Sequence, residues 1–404
     1  MTPDLERVNA LGVYLHGQLT GILTRMSGDQ HLFSFDQDYL DDSNRPLLSL
    51  GFKSSGGGLV TRAHPTRRRL PPFFSNLLPE GALRTYLAAK VGVDPEREFP
   101  LLAVLGADLS GAVVIQPVES SKPASLPQRQ GSLHFSLAGS QQKFPAILNA
   151  AGGFAMPERG IGGNWIVKLP STQFASVPEN EFVMLELARS IGIPVPATRL
   201  LPVAEIGGLP ADASRIAGQA LAVQRFDRLE NGRRVHMEDF AQVFGQFPED
   251  KYKSRSYANI AAVLRAETAG DATDDFLQRL VFSVLIGNGD MHLKNWSLLY
   301  ADGRVPTLAP AYDYVSTLPY LREDQLALSF GGSRTLHEIT LDQARRFADR
   351  AGLPMAPVWD TVRTTAETTA RAWKNLPHRD LLPPELRLTI GAHIRKVAAA
   401  IAAA

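Results

Sequence analysis

The chain has no cysteine. Disulfides, cysteine nucleophiles and thiolate metal sites are therefore excluded, and the absence fits a reducing compartment. It also lacks any run of ~18 apolar residues, the length that spans a bilayer, so no membrane segment is expected. An excess of charge of one sign is missing too. Forty-two basic residues face 41 acidic ones for a net charge of +1, which gives no global electrostatic case for nucleic-acid binding. The short basic run Arg67-Arg68-Arg69 reads as a solvated loop. The opening residues, Met1-Thr2-Pro3-Asp4-Leu5-Glu6-Arg7, have neither the basic start nor the apolar core of a secretory signal. A cytoplasmic location is the expectation. No internal repeat is visible.

What the chain does have is enough length, 404 residues, for two or three compact units. Its 44% hydrophobic and 21% charged content is that of an ordinary globular protein. Residues 11–60 alternate short apolar runs with the turn signals His16-Gly17, Ser27-Gly28-Asp29 and Gly56-Gly57-Gly58, and read as strands. Helical patterns follow from about 73 to 110. The segment from Val118 to Pro127 is linker-like in its Ser and Pro content. A mixed strand-and-helix region runs from about 128 to 228. Beyond it the patterns are helical apart from one hairpin, and include a capping-box start at Thr340-Leu341-Asp342-Gln343. Val397 to Ala404 reads as a fraying Ala-rich helix end.

The chemistry concentrates in Ile286-Gly287-Asn288-Gly289-Asp290-Met291-His292-Leu293-Lys294-Asn295, followed eighteen residues after Asn295 by Asp313. Phosphoryl transfer from ATP needs a carboxylate to orient the accepting hydroxyl and oxygen ligands to hold Mg²⁺ on the phosphates. Kinase catalytic loops place the base and a metal-binding Asn five residues apart, with a second metal-binding Asp further on. Asp290 and Asn295 have that spacing, and Asp313 is the candidate second ligand. Upstream, Phe276, Leu277, Leu280, Val281, Val284 and Leu285 recur at helical spacing, with Thr273 as the candidate start. Downstream, Trp296–Tyr300 and Val305–Ala309 read as strands about the turn Ala301-Asp302-Gly303-Arg304. That hairpin would return Asp313 beside Asn295. The competing reading is a loop whose Asp and Asn merely satisfy turn backbone; the combination argues against it.

Trp165-Ile166-Val167-Lys168-Leu169 places one lysine inside an apolar run, costly to bury unless an anion meets it. The helical pattern from Glu179 to Arg189 follows, as the helix that holds a kinase lysine would. Glu181 is preferred over Glu179 and Glu186 as the partner. The apolar strand Ala220–Gln224 then turns polar at Arg225-Phe226-Asp227-Arg228. By order along the chain this is the crossover whose backbone, chiefly that of Gln224 and Phe226, would meet adenine.

Together these segments resemble the HipA family, serine/threonine kinase toxins of bacterial toxin–antitoxin pairs. Ser136-Leu137-Ala138-Gly139-Ser140-Gln141-Gln142-Lys143 is similar to that family's phosphate-binding loop. Phe73-Phe74-Ser75-Asn76-Leu77-Leu78-Pro79-Glu80-Gly81 and Gly106-Ala107-Asp108-Leu109-Ser110-Gly111-Ala112 are similar to two signatures of its N-terminal subdomain. Phe226-Asp227-Arg228, Glu238-Asp239-Phe240, the Asp290 loop and Tyr312-Asp313 complete the series in order, from about residue 12 to about 390. Gly289 stands where many relatives have Thr, and Met237 where they often have Gln.

The resemblance implies an α+β, two-lobed protein-kinase-like fold with an extra N-terminal α/β subdomain (1–118), an N-lobe (128–228) and a mainly helical C-lobe (229–404). It implies ATP and Mg²⁺ as cofactors, with Ala138, Gly139, Ser140, Gln141, Gln142, Lys143, Lys168, Gln224, Arg225, Phe226, His292, Lys294, Asn295, Tyr312 and Asp313 around the nucleotide. Asn295 and Asp313 would hold the metal and Asp290 would be the base. Autophosphorylation of Ser136 would inactivate the kinase. The implied partners are a protein substrate, with an aminoacyl-tRNA synthetase suggested, and a helix-turn-helix antitoxin of HipB type that alone carries the link to DNA. Two alternatives stay open: a small-molecule kinase of the aminoglycoside or choline type, whose Gly-Asp-x-His-x-x-Asn loop also fits residues 289–295, and a catalytically silent partner-binding module.

Overall fold

Three regions follow one another along the chain; among the described residues the first two are built on one sheet each and the third on two small ones. In this computed structural model the described residues are 8–54, 56–62, 64–118, 142–149, 152–157, 162–210, 213–229, 231–268, 271–321 and 324–404. Ser136, Ala138, Gly139, Ser140, Gln141 and most of the linker-like segment lie outside them.

The first sheet is built from β1 (Ala10–Leu15), β2 (Gln18–Met26), β3 (Gln30–Phe35), β4 (Thr66–Arg67) and β5 (Val113–Pro117), in the order β4-β3-β2-β1-β5, all antiparallel. His16 and Gly17, both at positive φ (51° and 83°), make the two-residue turn between β1 and β2, as right-twisted hairpins favour. Alternation puts Leu11, Val13 and Leu15 on the buried face. There they meet Phe73 and Phe74 of α2 (Pro72–Ser75) and Leu101 and Leu102 of α4 (Glu98–Leu105). Between these two helices runs α3 (Gly81–Val91). The strand pattern stops sooner than the turn signals suggest. Asp36 caps the short α1 (Gln37–Asp41), accepting from the Asp38 and Tyr39 N–H groups, and the described residues from there to 60 add only a 3-10 turn at Leu50–Phe52 and a lone bridge between Lys53 and Leu59.

The second sheet takes β6 (Lys143–Leu148), β7 (Phe154–Ala155), β8 (Trp165–Lys168), β9 (Thr198–Pro202), β10 (Ile206–Gly207) and β11 (Gln219–Gln224), in the order β10-β7-β6-β8-β11-β9. Its register pairs Lys143 with Lys168 on neighbouring strands. Helix α5 (Val177–Ser190) lies between β8 and β9 in sequence, yet Val183, Met184 and Leu187 belong to the core of the following region.

That third region holds β12 (His236–Asp239), β13 (Ser297–Tyr300) and β14 (Thr307–Leu308) in one small antiparallel sheet, and β15 (Gln325–Phe330) with β16 (Ser333–Thr335) in another. Around them pack α6 (Phe240–Val243), α7 (Tyr257–Glu267), α8 (Asp271–Leu285), α9 (Leu341–Ala351), α10 (Met355–Asn375) and α11 (Pro384–Ala403). The expected capping box of α9 is present, with Thr340 and Gln343 satisfying each other's backbone. Two helix ends differ from expectation. Helix α8 begins at Asp271, so Thr273 lies inside it with its hydroxyl buried and unpartnered rather than capping. The Ala-rich end does not fray, because Val397 and Ile401 are buried at i, i+4 spacing against the helical core. No helix among the described residues is long and apolar enough to cross a membrane.

Glu238 of β12 fastens the first region to the third. Its wholly buried carboxyl accepts from Ser49 Oγ (2.5 Å), the Leu50 N–H (2.9 Å) and the Tyr300 hydroxyl. Burial pushes it up to about 7 against the pull of those donors. Glu238→Gln would turn an amide NH₂ toward a set of donors, and should lower stability by about 2–4 kcal/mol. A carboxyl raised on folding contributes stability that is full below its unfolded value and is lost as pH rises through the folded one. The wild type's advantage over Glu238→Gln should therefore shrink between about pH 5 and about pH 8, read from urea unfolding by Trp fluorescence. An advantage that grows with pH would show that Glu238 is ionised in place.

Candidate active site

Helix α8 delivers the chain to the catalytic segment. The backbone turns out of the helix at Gly287, whose φ of +68° suits a residue without Cβ. Asn288, fully buried, then ties two loop segments of the site together. Its Oδ1 accepts the Asp290 N–H at 3.0 Å, and its Nδ2 donates to the Asp313 carbonyl at 3.4 Å. The Asp290 carbonyl accepts from the Asn295 amide and from the His292 N–H, both at 2.8 Å. Asn295 is thereby fixed through Nδ2, which orients its Oδ1. The β13–β14 hairpin pairs Leu298 with Leu308 and brings the chain back to Asp313. That residue sits in the left-handed region at φ +56°, uncommon for a non-glycine residue and a mark of a site held in place by its surroundings.

Opposite the loop, Lys168 ends β8 with only 4% of its surface exposed. Its ammonium donates to Glu181 Oε1 on α5 and to Asp313 Oδ1. Lys143, its neighbour on β6, reaches Asp313 Oδ2 at 3.2 Å and Oδ1 at 3.4 Å. Burial works against charge on Asp313, but the Lys143 and Lys168 ammoniums overcome it and hold that carboxyl far below the usual range. Burial likewise opposes charge on Lys168, and the carboxylates of Asp313 and Glu181 hold it protonated. Asp290 lies on the other side of the loop. Burial raises its carboxyl, while a hydrogen bond from Tyr252 and the Lys251 charge pull the other way.

A cavity of about 440 Å³ opens between the second sheet and the catalytic loop. Lys143, Lys168 and Asp313 lie at its polar end; Ile166, Val223, Phe226, Met237 and Tyr312 give it apolar walls. The first region closes another side with Leu77, Leu83 and Tyr86. Buried Asp, Lys and Glu side chains converging on a largely apolar cleft are the arrangement expected of an active or binding site.

Comparison with known proteins agrees. The HipA N-terminal domain family matches residues 11–116, and the HipA-like C-terminal domain family matches residues 135–373. The chain belongs to the HipA family. It is 47% identical over 386 residues to a putative kinase, Y4dM, of Sinorhizobium fredii, covering 92% of this chain and 94% of that one. It is 28% identical to the serine/threonine-protein kinase toxin HipA of Shewanella oneidensis, covering 72% of this chain and 73% of that one. The structure of Shewanella oneidensis HipA with HipB and its operator DNA superposes with a TM-score of 0.75 at 22% identity, over 97% of this chain and 98% of that one. The fold is the α+β, kinase-like fold of HipA, and the chain is a kinase of HipA type.

In this HipA-family kinase Lys143, Lys168, Gln224, Arg225, Phe226, Lys294, Tyr312 and Asp313 all line the one cavity. Asp290 instead faces a second cavity of about 620 Å³. Glu181, not Glu179 or Glu186, meets Lys168; Glu186 pairs with Arg189 and Thr198. The Arg225 guanidinium is engaged by Asp227, which lines the same cavity, at 2.8 and 2.9 Å. The Gln224 and Arg225 N–H groups are already bonded to Ala197 and Asn164 carbonyls. Gln142 is buried with its Oε1 unpartnered, and His292 is buried with Nδ1 unpartnered. Burial presses the His292 imidazole down to about 3, so it is neutral.

Three residues escaped the sequence reading. Asn288 stood in the quoted loop but carried no assigned role. Glu80 stood in a quoted signature; its carboxylate pairs with Lys294 at 2.7 Å and Lys251 at 2.9 Å. Tyr252 had no sequence signal at all. The glycine at 289 also finds its reason here: a Cβ there would run into the Asp324 carboxylate, which the Thr317 hydroxyl holds in place.

Removing Lys168 leaves two buried carboxylates facing each other. Lys168→Met should cost about 3–5 kcal/mol in the nucleotide-free protein. Adding Asp313→Asn should return part of that loss, measured by urea unfolding of the single and double variants. A Lys168→Met protein as stable as the wild type would contradict the pairing.

Proposed function

We propose that this HipA-family kinase transfers the γ-phosphoryl group of Mg-ATP to a serine or threonine hydroxyl of a protein. The observation that carries the reading is the buried lysine, Lys168, held between Glu181 and Asp313 at the end of a cavity whose catalytic loop sets Asp290 and Asn295 five residues apart. Lys168 and Lys143 would receive the phosphate oxygens once Asp313 turns to the metal. Adenine would lie among Ile166, Val223 and Phe226. With the Gln224 and Arg225 N–H groups engaged in the sheet, the donor to the ring falls to Phe226 and the acceptor to the Gln224 carbonyl. Lys294, Tyr312 and His292 would stand behind the phosphates. Asp290 would orient the acceptor hydroxyl and take its proton as the new O–P bond forms and the bond to the ADP oxygen breaks.

Asp313 and Asn295 suit a hard cation. Asp313 carries a negative charge that two ammoniums balance in the nucleotide-free chain, and Asn295 adds a neutral oxygen. Among the described residues no cluster of three or more His, Cys, Asp or Glu could cage a metal. A metal here would take its other ligands from phosphate and water, as Mg²⁺ does. When bound, it supplies charge neutralisation of the β- and γ-phosphates.

Family membership supports three further assignments. The Shewanella relative was solved with HipB and operator DNA, and we assign this chain a helix-turn-helix partner of the same type, with DNA reached through that partner. An aminoacyl-tRNA synthetase is the protein substrate the family resemblance suggests. Ser136, at the start of the phosphate-binding segment, is assigned as an autophosphorylation site. A phosphoserine brings about −1.5 to −2 charge, and would compete with ATP for Lys143 and Lys168.

Asp290→Asn should still bind Mg-ATP by calorimetry but lose transfer to lysate proteins by ~10²–10⁴-fold. The wild type should lose the same activity when divalent ions are chelated. Near-normal labelling by the variant would remove Asp290 from its role.

Mass spectrometry after incubation with Mg-ATP should find phosphate on Ser136, and the modified protein should bind ATP poorly. Ser136→Ala should stay active longer, and Ser136→Asp, with one charge and two acceptor oxygens, should imitate the inhibition in part. Phosphate found only elsewhere, with rapid turnover of an aminoglycoside, would favour a small-molecule kinase instead.

A further inference from the structure

The carboxylate assigned above to the acceptor hydroxyl already holds a hydroxyl. The Tyr252 phenol donates to Asp290 Oδ1 across 2.6 Å, a short hydrogen bond between hydroxyl and carboxyl. The other bonds that fix Asp290 run through its backbone, to Asn288, His292 and Asn295. Tyr252 is not placed there by this bond alone. Its ring stands edge-on to His292, with centroids 5.1 Å apart at 81°. Its carbonyl accepts from Arg334 at 2.8 Å. The adjoining Lys251 is tied to Glu80 of the first region, and its carbonyl accepts the Leu293 N–H at 3.2 Å. Tyr252 is 37% exposed, so water could have satisfied the phenol; the side chain is aimed at the base instead. It forms part of the wall of the 620 Å³ cavity, with Asp324, Tyr320 and Arg334 close by.

We propose that the Tyr252 hydroxyl occupies the acceptor-hydroxyl position, so that every phosphate acceptor, water included, must displace it from Asp290. This rests on the reading of Asp290 given above. The phenol then acts as an internal competitor. Water or a small alcohol brings too few contacts to move an anchored aromatic side chain, and ATP is spared hydrolysis. A peptide segment filling the outer cavity gains enough contact surface to shift the ring and present its own hydroxyl. Tyr252 thus selects for acceptors that bind the cavity walls as well as the base.

Tyr252→Phe keeps the ring on His292 and removes only the hydroxyl. With Mg-ATP as the sole reactant and water as acceptor, phosphate release should rise about fivefold to tenfold over the wild type. The rise should vanish in the double variant with Asp290→Asn. Calorimetric ATP binding reports that the nucleotide site is intact in each protein. Hydrolysis equal to or slower than that of the wild type, with ATP still bound, overturns the competitor. If neither protein releases phosphate nor labels any lysate protein while both bind ATP, the kinase reading fails, and the competitor with it.

Discussion

A protonated lysine with almost no access to water cannot stand alone, and the site is arranged around that constraint. Lys168 sits at the end of a β-strand in an apolar sheet, where an isolated ammonium would be costly. It is stable there because α5 brings Glu181 and the β13–β14 hairpin brings Asp313. Lys143 adds the fourth charge, so two cations face two anions. Such a cluster offsets the cost of burying each charge by pairing it with its opposite. The strained φ of Asp313 belongs to the same bargain: the position is dictated by what it must reach.

The first region is part of this machinery. Glu80 reaches across to Lys294 in the catalytic loop, and burial fails to neutralise it because Lys294 and Lys251 hold its carboxyl at about 2. Asn76 accepts from Lys294 through its carbonyl and donates to the Gln246 carbonyl. At the crossover, Asp227 accepts the Gly111 N–H at 2.8 Å, and Arg228 binds both Asp227 and Asp108. The signatures Phe73–Gly81 and Gly106–Ala112, far from the kinase loop in sequence, thus end against it and against the crossover. A kinase lobe stripped of residues 8–118 would take Glu80 and Asn76 from Lys294, the Gly111 N–H from Asp227, and Ser49 and the Leu50 N–H from Glu238.

Much of the site was legible because the chemistry fixes residue types at fixed intervals. The five-residue spacing of Asp290 and Asn295, the turn at Ala301–Arg304 and the lone lysine in Trp165–Leu169 are local patterns, and local geometry realises them. Helix ends were less legible. Thr273 looked like a cap, but the helix had already begun, and the Ala-rich tail looked loose until Val397 and Ile401 found a core to enter. Both misreadings have one origin: propensity describes an isolated segment, whereas burial against distant residues decides where a helix starts and stops.

By itself the sequence determined the residue types of the candidate site, the order of the elements and the α+β character, since these follow from hydrophobic period and from motifs a few residues long. Only the tertiary structure decided which groups meet. Glu181 rather than Glu179 or Glu186 faces Lys168 because α5 turns that face toward β8. Glu80 meets Lys294 across more than two hundred residues of chain. Tyr252 covers Asp290 from a loop that has no motif. Partner choice over such separations depends on how whole elements pack, and packing is a property of the assembled chain, written in no single stretch of it.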